Sequence, residues 1–554
     1  MQTHGKTFDA IVIGSGAAGS FAVKELTERG MDVLMLEAGR DITEQDFKIP
    51  ETPRQKGINL TTRARAVLKG QHIQARIGFF GEQFKDFFVN DRENPYTTPS
   101  GDSYLWIRGR QLGGRLHLYG RVLLRMTDYD FKVASRDGFG EDWPISYSCL
   151  APYYERVEKF VGLYGTADQI KNLPDGNCSG MPKLTGLEQA FKATVEANWP
   201  DRKVISWRYA APNLKRVPLP IQAAKETGRL TTRTGAIVQR ISIDPSTGRA
   251  TGAEFIDRSS RSLESVSASV VVLCASTIES IRILFNSGCT KHPNGLGNRN
   301  GLLGRYFMDQ CPSQIYGSIP GSKGWELDNS APDPFYGPSG GVYIPRFQNL
   351  DSVTHPQFRR GFAYQGAIGR SYVPEDRDAI FGIMGFGETL PYFENCVTVN
   401  RKRQDAWGIP AAHIRCSIAQ NERDLLQEQM KSVRDMVEAC GYKISFSGSA
   451  LGLENPKEAF PEADWLSRLM FRTCFNRSLA MGAAIHECGG ARMGNDPATS
   501  VVNSYNQMWD CKNLFVTDGS CFVSSGTVGP ALTIMALTAR ACEYIADQFK
   551  SGSL

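Results

Sequence analysis

The chain has 554 residues, of which 41% are hydrophobic and 22% charged, a composition typical of globular proteins that argues against disordered and fibrous classes. Its formal net charge is only +5 with acidic and basic residues interleaved, so neither a basic face for nucleic acid nor an acidic face for cations is indicated. Thirteen cysteines without any CxxC pair argue against a disulfide framework and against a zinc or iron–sulfur site, so we predict no metal site.

The N-terminus indicates no targeting segment. Only residues 1–6 precede the first apolar strand, which leaves no room for the apolar region of a secretory signal or for a twin-arginine motif. No apolar run has the length that spans a bilayer. We therefore expect a cytoplasmic protein with reduced thiols. A protein that is exported together with a signal-bearing partner would show the same sequence features.

Residues 8–40 predict a dinucleotide-binding unit. The apolar run Ala10–Ile13 is typical of a buried parallel strand, and it leads directly into the glycine turn GSGAAG and then a helical pattern. In such a turn Gly14 permits a tight bend, Gly16 lets backbone approach a pyrophosphate, and Gly19 lets the helix pack close to the strand.

A second strand at residues 32–36 ends at Glu37, whose carboxylate would lie where an adenosine ribose presents its hydroxyls. Strand, glycines, helix, strand and acidic residue in this register predict a bound dinucleotide. The fingerprint alone does not separate FAD from NAD.

The later segments predict two kinds of sheet. The apolar strand Ser267–Ser276, followed by a helix over 277–288, most economically joins Ala10–Ile13 in one parallel sheet. A hairpin-like series begins at Leu230, with LTTRTGAIVQRISID at 230–244 and TGAEFIDR at 251–258, and leads into the strand at 267–276. Beyond residue 310 an antiparallel sheet is predicted, with a helix at 421–440 on its outside. Its strand-length segments are 340–344, 361–366, 383–389, 396–399 and 411–416.

Three other stretches complete the chain. Residues 41–101 form a long polar connection, which predicts an excursion over a cofactor or subunit surface. The segment 104–121 has four glycines within a dozen residues, together with Trp106 and Tyr119, which suits either backbone close to a flat ligand or a glycine-kinked edge strand. After a short strand at 513–517, a final amphipathic helix is predicted from Pro530 to Phe549.

Four separated blocks together resemble the glucose–methanol–choline (GMC) oxidoreductases. They are the glycine turn with Glu37, RGRQLGGRLHLYGRVLLRM at 108–126, CASTIESIRILFNSG at 274–288, and the C-terminal pair HECGGARMGNDP and NLFVTDGSCFVSSGTVGPALTIMALTARA. The segments DWPISYSCLAPYYERVEKFVGLYG, GFGETLPYFENCVTVN and WGIPAAHI resemble the bacterial sugar-oxidising branch, which is related to pyranose oxidases and glucoside 3-dehydrogenases.

This resemblance implies an α/β fold. A Rossmann-like FAD-binding domain with a parallel sheet would comprise residues 1–309 and 471–554, and an antiparallel-sheet substrate domain would comprise 310–470. FAD is expected to be noncovalent, because the histidine that some members attach to flavin would stand at Leu118. The implied cofactor-binding residues are Gly14, Gly16, Ala17, Ala18, Glu37, Arg108, Gly113, Gly114, His117, Leu118, Val238, Asp518, Gly519, Ala531 and Leu532.

The resemblance also implies hydride transfer from a carbinol carbon to flavin N5, with His486 at the position of the family's catalytic histidine. A C–H bond beside a hydroxyl releases hydride readily only if a neutral base takes the O–H proton. The expected substrate is a sugar or glycoside, oxidised to a ketone at a secondary hydroxyl, with the C3 hydroxyl as the first candidate. The electron acceptor would be oxygen, a quinone, or a haem-bearing or small subunit, and an oligomer is compatible with the sequence.

Gly529 departs from the family pattern. This position usually carries the histidine or asparagine that pairs with the catalytic histidine, and glycine has no side chain to hold a substrate oxygen; a laboratory substitution would look the same. Either Tyr119, His117 or Gln365 compensates, or the gap accommodates a bulky glycoside. Two alternative functions follow: a non-redox lyase with bound flavin on the same fold, and a flavoprotein subunit of an electron-transfer dehydrogenase complex.

Overall fold

A computed structural model describes residues 7–49, 60–210, 213, 216–327, 333, 335–350, 354–451, 465, 469 and 479–554. The strands in these ranges are β1 (Thr7–Ile13), β2 (Val33–Glu37), β3 (Leu163–Tyr164), β4 (Ile205–Ser206), β5 (Tyr209–Ala210), β6 (Leu230–Thr234), β7 (Ala236–Ile243), β8 (Ala250–Asp257), β9 (Leu263–Leu273), β10 (Cys311–Ser318), β11 (Val342–Ile344), β12 (Phe362–Ile368), β13 (Ile380–Gly387), β14 (Cys396–Gln404), β15 (Pro410–Arg415), β16 (Lys443–Ser449) and β17 (Leu514–Val516).

The helices in the same ranges are α1 (Ala17–Glu28), α2 (Leu60–Leu68), α3 (Asp128–Phe131), α4 (Val133–Asp137), α5 (Tyr147–Val161), α6 (Gly186–Asn198), α7 (Leu219–Glu226), α8 (Thr277–Asn286), α9 (Gln420–Ala439) and α10 (Ala531–Lys550). Short 3₁₀ turns at Gly114–His117 and Gly519–Cys521 lie in two of the family-like blocks. None of the helices in the described ranges is long and apolar enough to cross a membrane.

The larger sheet has the strand order β6-β2-β1-β9-β8-β7, with β17 also paired to β9. The parallel strands are β6, β2, β1, β9 and β17. Strand β8 runs antiparallel to both of its neighbours, β9 and β7. The predicted pairing of the two distant apolar strands is confirmed, since Ala10 lies opposite Val270. Helix α1 packs on β1, β2 and β9, and α7 and α10 pack on α1, with α5 against α10. The result is the α/β arrangement that the fingerprint predicts.

The hairpin-like series that begins at Leu230 is confirmed for its later strands, because β7 pairs antiparallel with β8 and β8 pairs antiparallel with β9. Its first strand departs from the series, because β6 pairs in parallel with β2. Between β6 and β7, Gly235 has φ +69°, a left-handed conformation that glycine adopts without steric cost. The chain therefore turns between β6 and β7 without forming a hairpin there.

The smaller sheet is antiparallel, with the order β16-β10-β13-β12-β11-β4. It includes three of the predicted segments, and α9 packs against β10, β13 and β16 as expected. Strand β4 comes from residues 205–206, before the predicted start of the substrate domain, and the predicted boundary at 470/471 lies outside the described residues. The exact division into domains stays a prediction.

Strands β14 and β15 do not belong to this six-stranded sheet, contrary to expectation. They pair with each other in a separate hairpin. Arg282 on α8 binds the carboxylate of Asp405 at 2.6 Å and the carbonyl of Ile409 at 3.0 Å, which ties this hairpin to a helix of the first sheet.

Candidate active site

The turn after β1 has the backbone geometry that its glycines predict. Gly14 has φ +100°, and a Cβ there would lie 2.4 Å from the carbonyl oxygen of Cys274. A Cβ on Gly19 would lie 1.9 Å from the carbonyl oxygen of Gly14, so α1 packs directly on the turn. Gly16 differs, because a Cβ there would meet no atom within 4 Å. Its backbone at the start of α1 is open to a ligand, which suits a pyrophosphate.

Glu37 is buried at the end of β2. One carboxylate oxygen accepts a hydrogen bond from Ser15 Oγ, and the other accepts from the N–H of Gly39 at 2.7 Å. Ser15 Oγ in turn accepts from the N–H of Gly113 at 2.9 Å, which connects the two glycine segments. A carboxylate has about four acceptor sites, so Glu37 can still accept from ribose hydroxyls. Burial raises the pKa of Glu37, and Ser15, Gly39 and Arg110 oppose the rise.

An ion pair near Glu37 has free hydrogen-bonding capacity. Arg110 Nη2 donates to Glu279 Oε1 at 3.0 Å, while Arg110 Nη1 and Glu279 Oε2 are buried without a partner. Buried polar atoms without partners are costly, and native proteins satisfy nearly all of them. This unused donor and acceptor, together with the open backbone of Gly16, fit a polar dinucleotide such as FAD.

The second glycine block meets the first one. Gly113 and Gly114 have φ +89° and +54°, and a Cβ on Gly114 would lie 3.3 Å from Gly16 Cα. His117 turns away from this contact: its Nε2 bonds the carbonyl oxygen of Leu112 at 2.8 Å, and its ring packs edge-on against Phe47. Burial lowers the pKa of His117. These contacts fix the glycine turn and leave His117 poorly placed to serve as a base.

Leu118 and Arg108 are likewise engaged within the protein. Leu118 packs on the aromatic cluster that contains Phe47. Arg108 donates to the carbonyl oxygen of Asn94 at 2.7 Å and stacks on Trp106 at 3.9 Å, and burial lowers its pKa to about 10. The cofactor roles of Arg108, His117 and Leu118 stay predictions.

The remaining predicted cofactor residues are spread over several elements. Ala17 and Ala18 form the first turn of α1, and Val238 is buried in β7. Asp518 is buried and accepts hydrogen bonds from Ser280 Oγ and from the Ser520 N–H.

Two of the predicted residues begin the last helix. Helix α10 starts at Ala531, followed by the fully buried Leu532, and Pro530 before it supplies no capping side chain. The N–H groups of its first turn are therefore available to an anion. Gly519 lies further back, where a Cβ would be 2.7 Å from Thr277 Oγ1 and 2.8 Å from the carbonyl oxygen of Glu487.

His486 is held by a residue that the sequence did not single out. Its Nδ1 lies 2.6 Å from Gln310 Oε1. The Gln310 Nε2 group donates to the carbonyl oxygens of Gly526 and Val528, each at 2.9 Å, which fixes the orientation of the amide. Gln310 Oε1 must therefore accept a hydrogen bond from His486 Nδ1–H. The Nε2 nitrogen consequently carries the free lone pair of the neutral ring.

That free nitrogen faces Gly529. A Cβ on Gly529 would lie 3.4 Å from His486 Nε2, which is ordinary contact distance. The Phe386 ring packs on the imidazole at 5.3 Å between centroids. Burial, with a smaller contribution from the positive charge of Arg115, lowers the pKa of His486 to about 3. The imidazole is therefore neutral at physiological pH and able to accept a proton.

The carboxylate of Asp309 binds the backbone of both His486 and Gln310. Its Oδ1 accepts from the backbone N–H of His486 at 3.1 Å and of Gln310 at 2.7 Å, and its Oδ2 accepts from Tyr104 Oη at 2.8 Å. Burial, and then the negative charge of Glu487, raise the pKa of Asp309 to about 8. Asp309 and Gln310 were missed because they stand at the predicted start of the substrate domain in no recognisable motif.

An open glycine turn on a parallel sheet and a neutral, oriented histidine define a dinucleotide-dependent oxidoreductase. The GMC oxidoreductase family models match residues 8–310 and 391–538. The chain belongs to the GMC oxidoreductases, which bind FAD and act on CH–OH donors.

Individual relatives cover nearly the whole chain. The protein is 27% identical to 2-methyl-1,2-propanediol dehydrogenase of Mycolicibacterium austroafricanum, over 99% of this chain and 97% of that one. It is 23% identical to the fructose dehydrogenase large subunit of Gluconobacter japonicus, over all of both chains. The crystal structure of pyridoxine 4-oxidase from Mesorbium loti superposes with a TM-score of 0.62 at 18% identity, over 98% of this chain and 99% of that one, which supports the fold.

Proposed function

We propose that this protein oxidises a secondary hydroxyl of a sugar or glycoside, at C3, to a ketone, with His486 as the base. The observation that carries the proposal is the hydrogen bond from His486 Nδ1 to Gln310 Oε1, which leaves Nε2 unprotonated. Bound FAD supplies the hydride acceptor. His486 Nε2 takes the hydroxyl proton as the C–H electron pair leaves, so the alcohol loses two electrons and two protons in all.

The protein residues orient the donor hydroxyl by limiting where its proton can go. Phe386 closes one face of the imidazole, and Gln310 occupies Nδ1, so a hydroxyl reaches the base only at Nε2, beside Gly529. The absence of a side chain at 529 leaves space next to the base, which favours a substrate broader than a simple alcohol. The similarity of several segments to glucoside 3-dehydrogenases supports C3 as the oxidised position.

The electron acceptor that restores FAD is proposed to be a partner subunit or a quinone in preference to oxygen. Fructose dehydrogenase, to which the chain is similar throughout, is named as the large subunit of an assembly. The alternative of a non-redox lyase rests on Gly529 alone, because the usual second donor to the developing alkoxide is missing there.

Anaerobic addition of sugars and glycosides to the holoenzyme tests the proposal. Bleaching of the flavin absorbance by a sugar, with formation of a 3-keto product identified by mass spectrometry and NMR, is the expected result. Bleaching without turnover on oxygen, followed by turnover once a quinone is added, would support a dehydrogenase. A panel of sugars, glycosides and simple diols that leaves the flavin oxidised while a cyanohydrin is cleaved would establish the lyase alternative instead.

A further inference from the structure

Arg121 follows the second glycine block in a strained conformation. Its φ is +59°, in the left-handed region that L-residues other than glycine seldom adopt. Its guanidinium packs over the Tyr336 ring at 4.4 Å and donates through Nη2 to Ser339 Oγ at 3.1 Å. Nε and Nη1 are buried and have no hydrogen-bond partner. Backbone strain of this kind concentrates at functional sites, where the surrounding structure maintains it.

Arg121 also has no direct ion pair among the described residues. Two neighbouring arginines each have their own carboxylate: Arg216 lies 2.8 Å from Asp333, and Arg370 lies 2.5 Å from Glu188. No carboxylate in the described ranges lies within 4.0 Å of Arg121. Burial lowers the pKa of Arg121, and the more distant carboxylate of Asp333 and the neighbouring tyrosines only partly oppose that shift. A buried guanidinium with two idle N–H donors requires an anion or a strong acceptor.

The loop that carries Arg121 lies against the sheet face that supports His486. A Cβ on Gly120 would lie 3.7 Å from Gln365 Nε2 on β12. Gln365 pairs with Met384 on β13, and Phe386, two residues further along β13, packs against the imidazole of His486. Paired residues, and residues two apart on a strand, share one face of a sheet. Arg121 is therefore beside the same side of the sheet as the base.

We propose that Arg121 binds an anionic group, a carboxylate or a phosphate, carried by the substrate, so that the site prefers charged sugars to neutral ones. This inference rests on the proposed sugar oxidation and specifies its substrate class. The guanidinium has idle N–H donors on two different edges, at Nε and at Nη1, and each can give a charge-assisted hydrogen bond to an oxygen of a carboxylate or phosphate. The Tyr336 ring beneath the guanidinium and the Ser339 hydroxyl at Nη2 keep the guanidinium oriented.

The test compares glucose, glucuronate and glucose 6-phosphate on the holoenzyme in wild type, Arg121→Met and Arg121→Lys. Anaerobic flavin bleaching gives the apparent Kd and the limiting reduction rate, and titration calorimetry measures binding without any turnover. The glucuronate and phosphate arms distinguish the two anion types. Arg240→Met removes one exposed positive charge from β7 and is the matched control.

We expect at least one charged sugar to bind about tenfold or more tightly than glucose, the scale of a charge-assisted hydrogen bond. Arg121→Met should abolish that preference, Arg121→Lys should restore part of it, and Arg240→Met should keep it. Equal affinities for charged and neutral sugars in wild type would overturn the proposal. So would an Arg121→Met enzyme whose flavin potential shifts while its binding of charged sugars is unchanged. Charge-selective binding without bleaching would retain this site and reject the oxidation.

Discussion

His486 Nδ1 and Gln310 Oε1 lie 2.6 Å apart, and this one contact decides which nitrogen of the histidine can act as a base. Gln310 cannot rotate its amide without losing two hydrogen bonds to the carbonyl oxygens of Gly526 and Val528. The loop that leads to Gly529 therefore sets the tautomer of His486 through the amide of Gln310.

Gln310→Leu should slow flavin reduction without releasing FAD. Leucine keeps much of the volume but accepts no hydrogen bond, so the imidazole can place its proton on Nε2 and lose the base. We expect the limiting reduction rate to fall about tenfold to a hundredfold, within the usual range for general-base catalysis. Stopped-flow bleaching measures it, with Gln314→Leu on β10, the strand that follows Gln310, as the control.

Gln310→Glu separates a base-orienting role from a packing role. A carboxylate still accepts from His486 Nδ1 and also stabilises the protonated ring, so the pKa of His486 should rise from its low value. The acidic limb of the reduction rate against pH should then move to higher pH. If Gln310→Glu and Gln310→Leu give the same pH profile, Gln310 acts only through packing.

His486→Ala should leave FAD bound and slow flavin reduction by roughly a hundredfold or more, the scale of losing a general base. Its ring contacts Phe386 and Gln310 rather than the glycine turn at 14–19, so the cofactor site should be unaffected. Reduction rates and the FAD-to-protein absorbance ratio are measured together. An unchanged rate would move the role to another residue, and His117 is poorly placed because its Nε2 is engaged by Leu112.

The parts of the fold that sequence reasoning predicted depend on local patterns. The turn at 14–19 and helix α10 were predictable because their glycines, proline and apolar spacing are contiguous. Gln310 was not, since its partner His486 is 176 residues away in sequence and a single glutamine before a strand carries no periodic signal. Pairing of β14 with β15 alone was equally hidden, because strand patterns specify faces but not which sheet receives them.

Glu37→Ala should weaken FAD binding by about 1–3 kcal/mol, the range for losing a charged hydrogen-bond acceptor. The variant would also leave the Gly39 N–H and Ser15 Oγ without their acceptor beside the glycine turn. Fluorescence titration of apoprotein with FAD gives the Kd. Glu226→Ala, an exposed residue at the end of α7, is the control and should bind FAD normally. Equal Kd values in the two variants would contradict the assignment of Glu37.

Asp309→Asn should change how stability depends on pH. Burial and Glu487 raise the pKa of Asp309 to about 8 in the folded state, above the value of about 4 in an unfolded chain. The neutral carboxyl therefore contributes its full stabilisation of the fold below its pKa in the unfolded chain. That stabilisation is lost as the pH rises through its pKa in the folded state. The Tm of Asp309→Asn relative to wild type should rise between pH 5 and pH 8.5, roughly the interval between those two pKa values. A Tm difference that stays constant over that interval would contradict the shifted pKa.

Gly529→Asn tests the departure that lies nearest to the chemistry. A Cβ at this position would sit in ordinary contact with His486 Nε2, at 3.4 Å, so an asparagine side chain can reach the space beside the base. A second donor to the developing alkoxide is worth about 3 kcal/mol at a transition state. An enzyme that works with glycine must therefore obtain that stabilisation elsewhere or use the space for substrate.

These two cases give opposite results in the same variant. If another residue, such as Tyr119 or Gln365, already supplies the donor, Gly529→Asn should be neutral or harmful for every sugar. If the gap accommodates the aglycone of a glycoside, asparagine should leave free monosaccharides unaffected and raise the apparent Kd of bulky glycosides. Gly529→Ala, which adds only the Cβ, separates lost space from the added amide. Sugar oxidation that appears only in Gly529→Asn would mean that the glycine protein is not a working sugar oxidase, and the lyase alternative would then account better for its bound flavin.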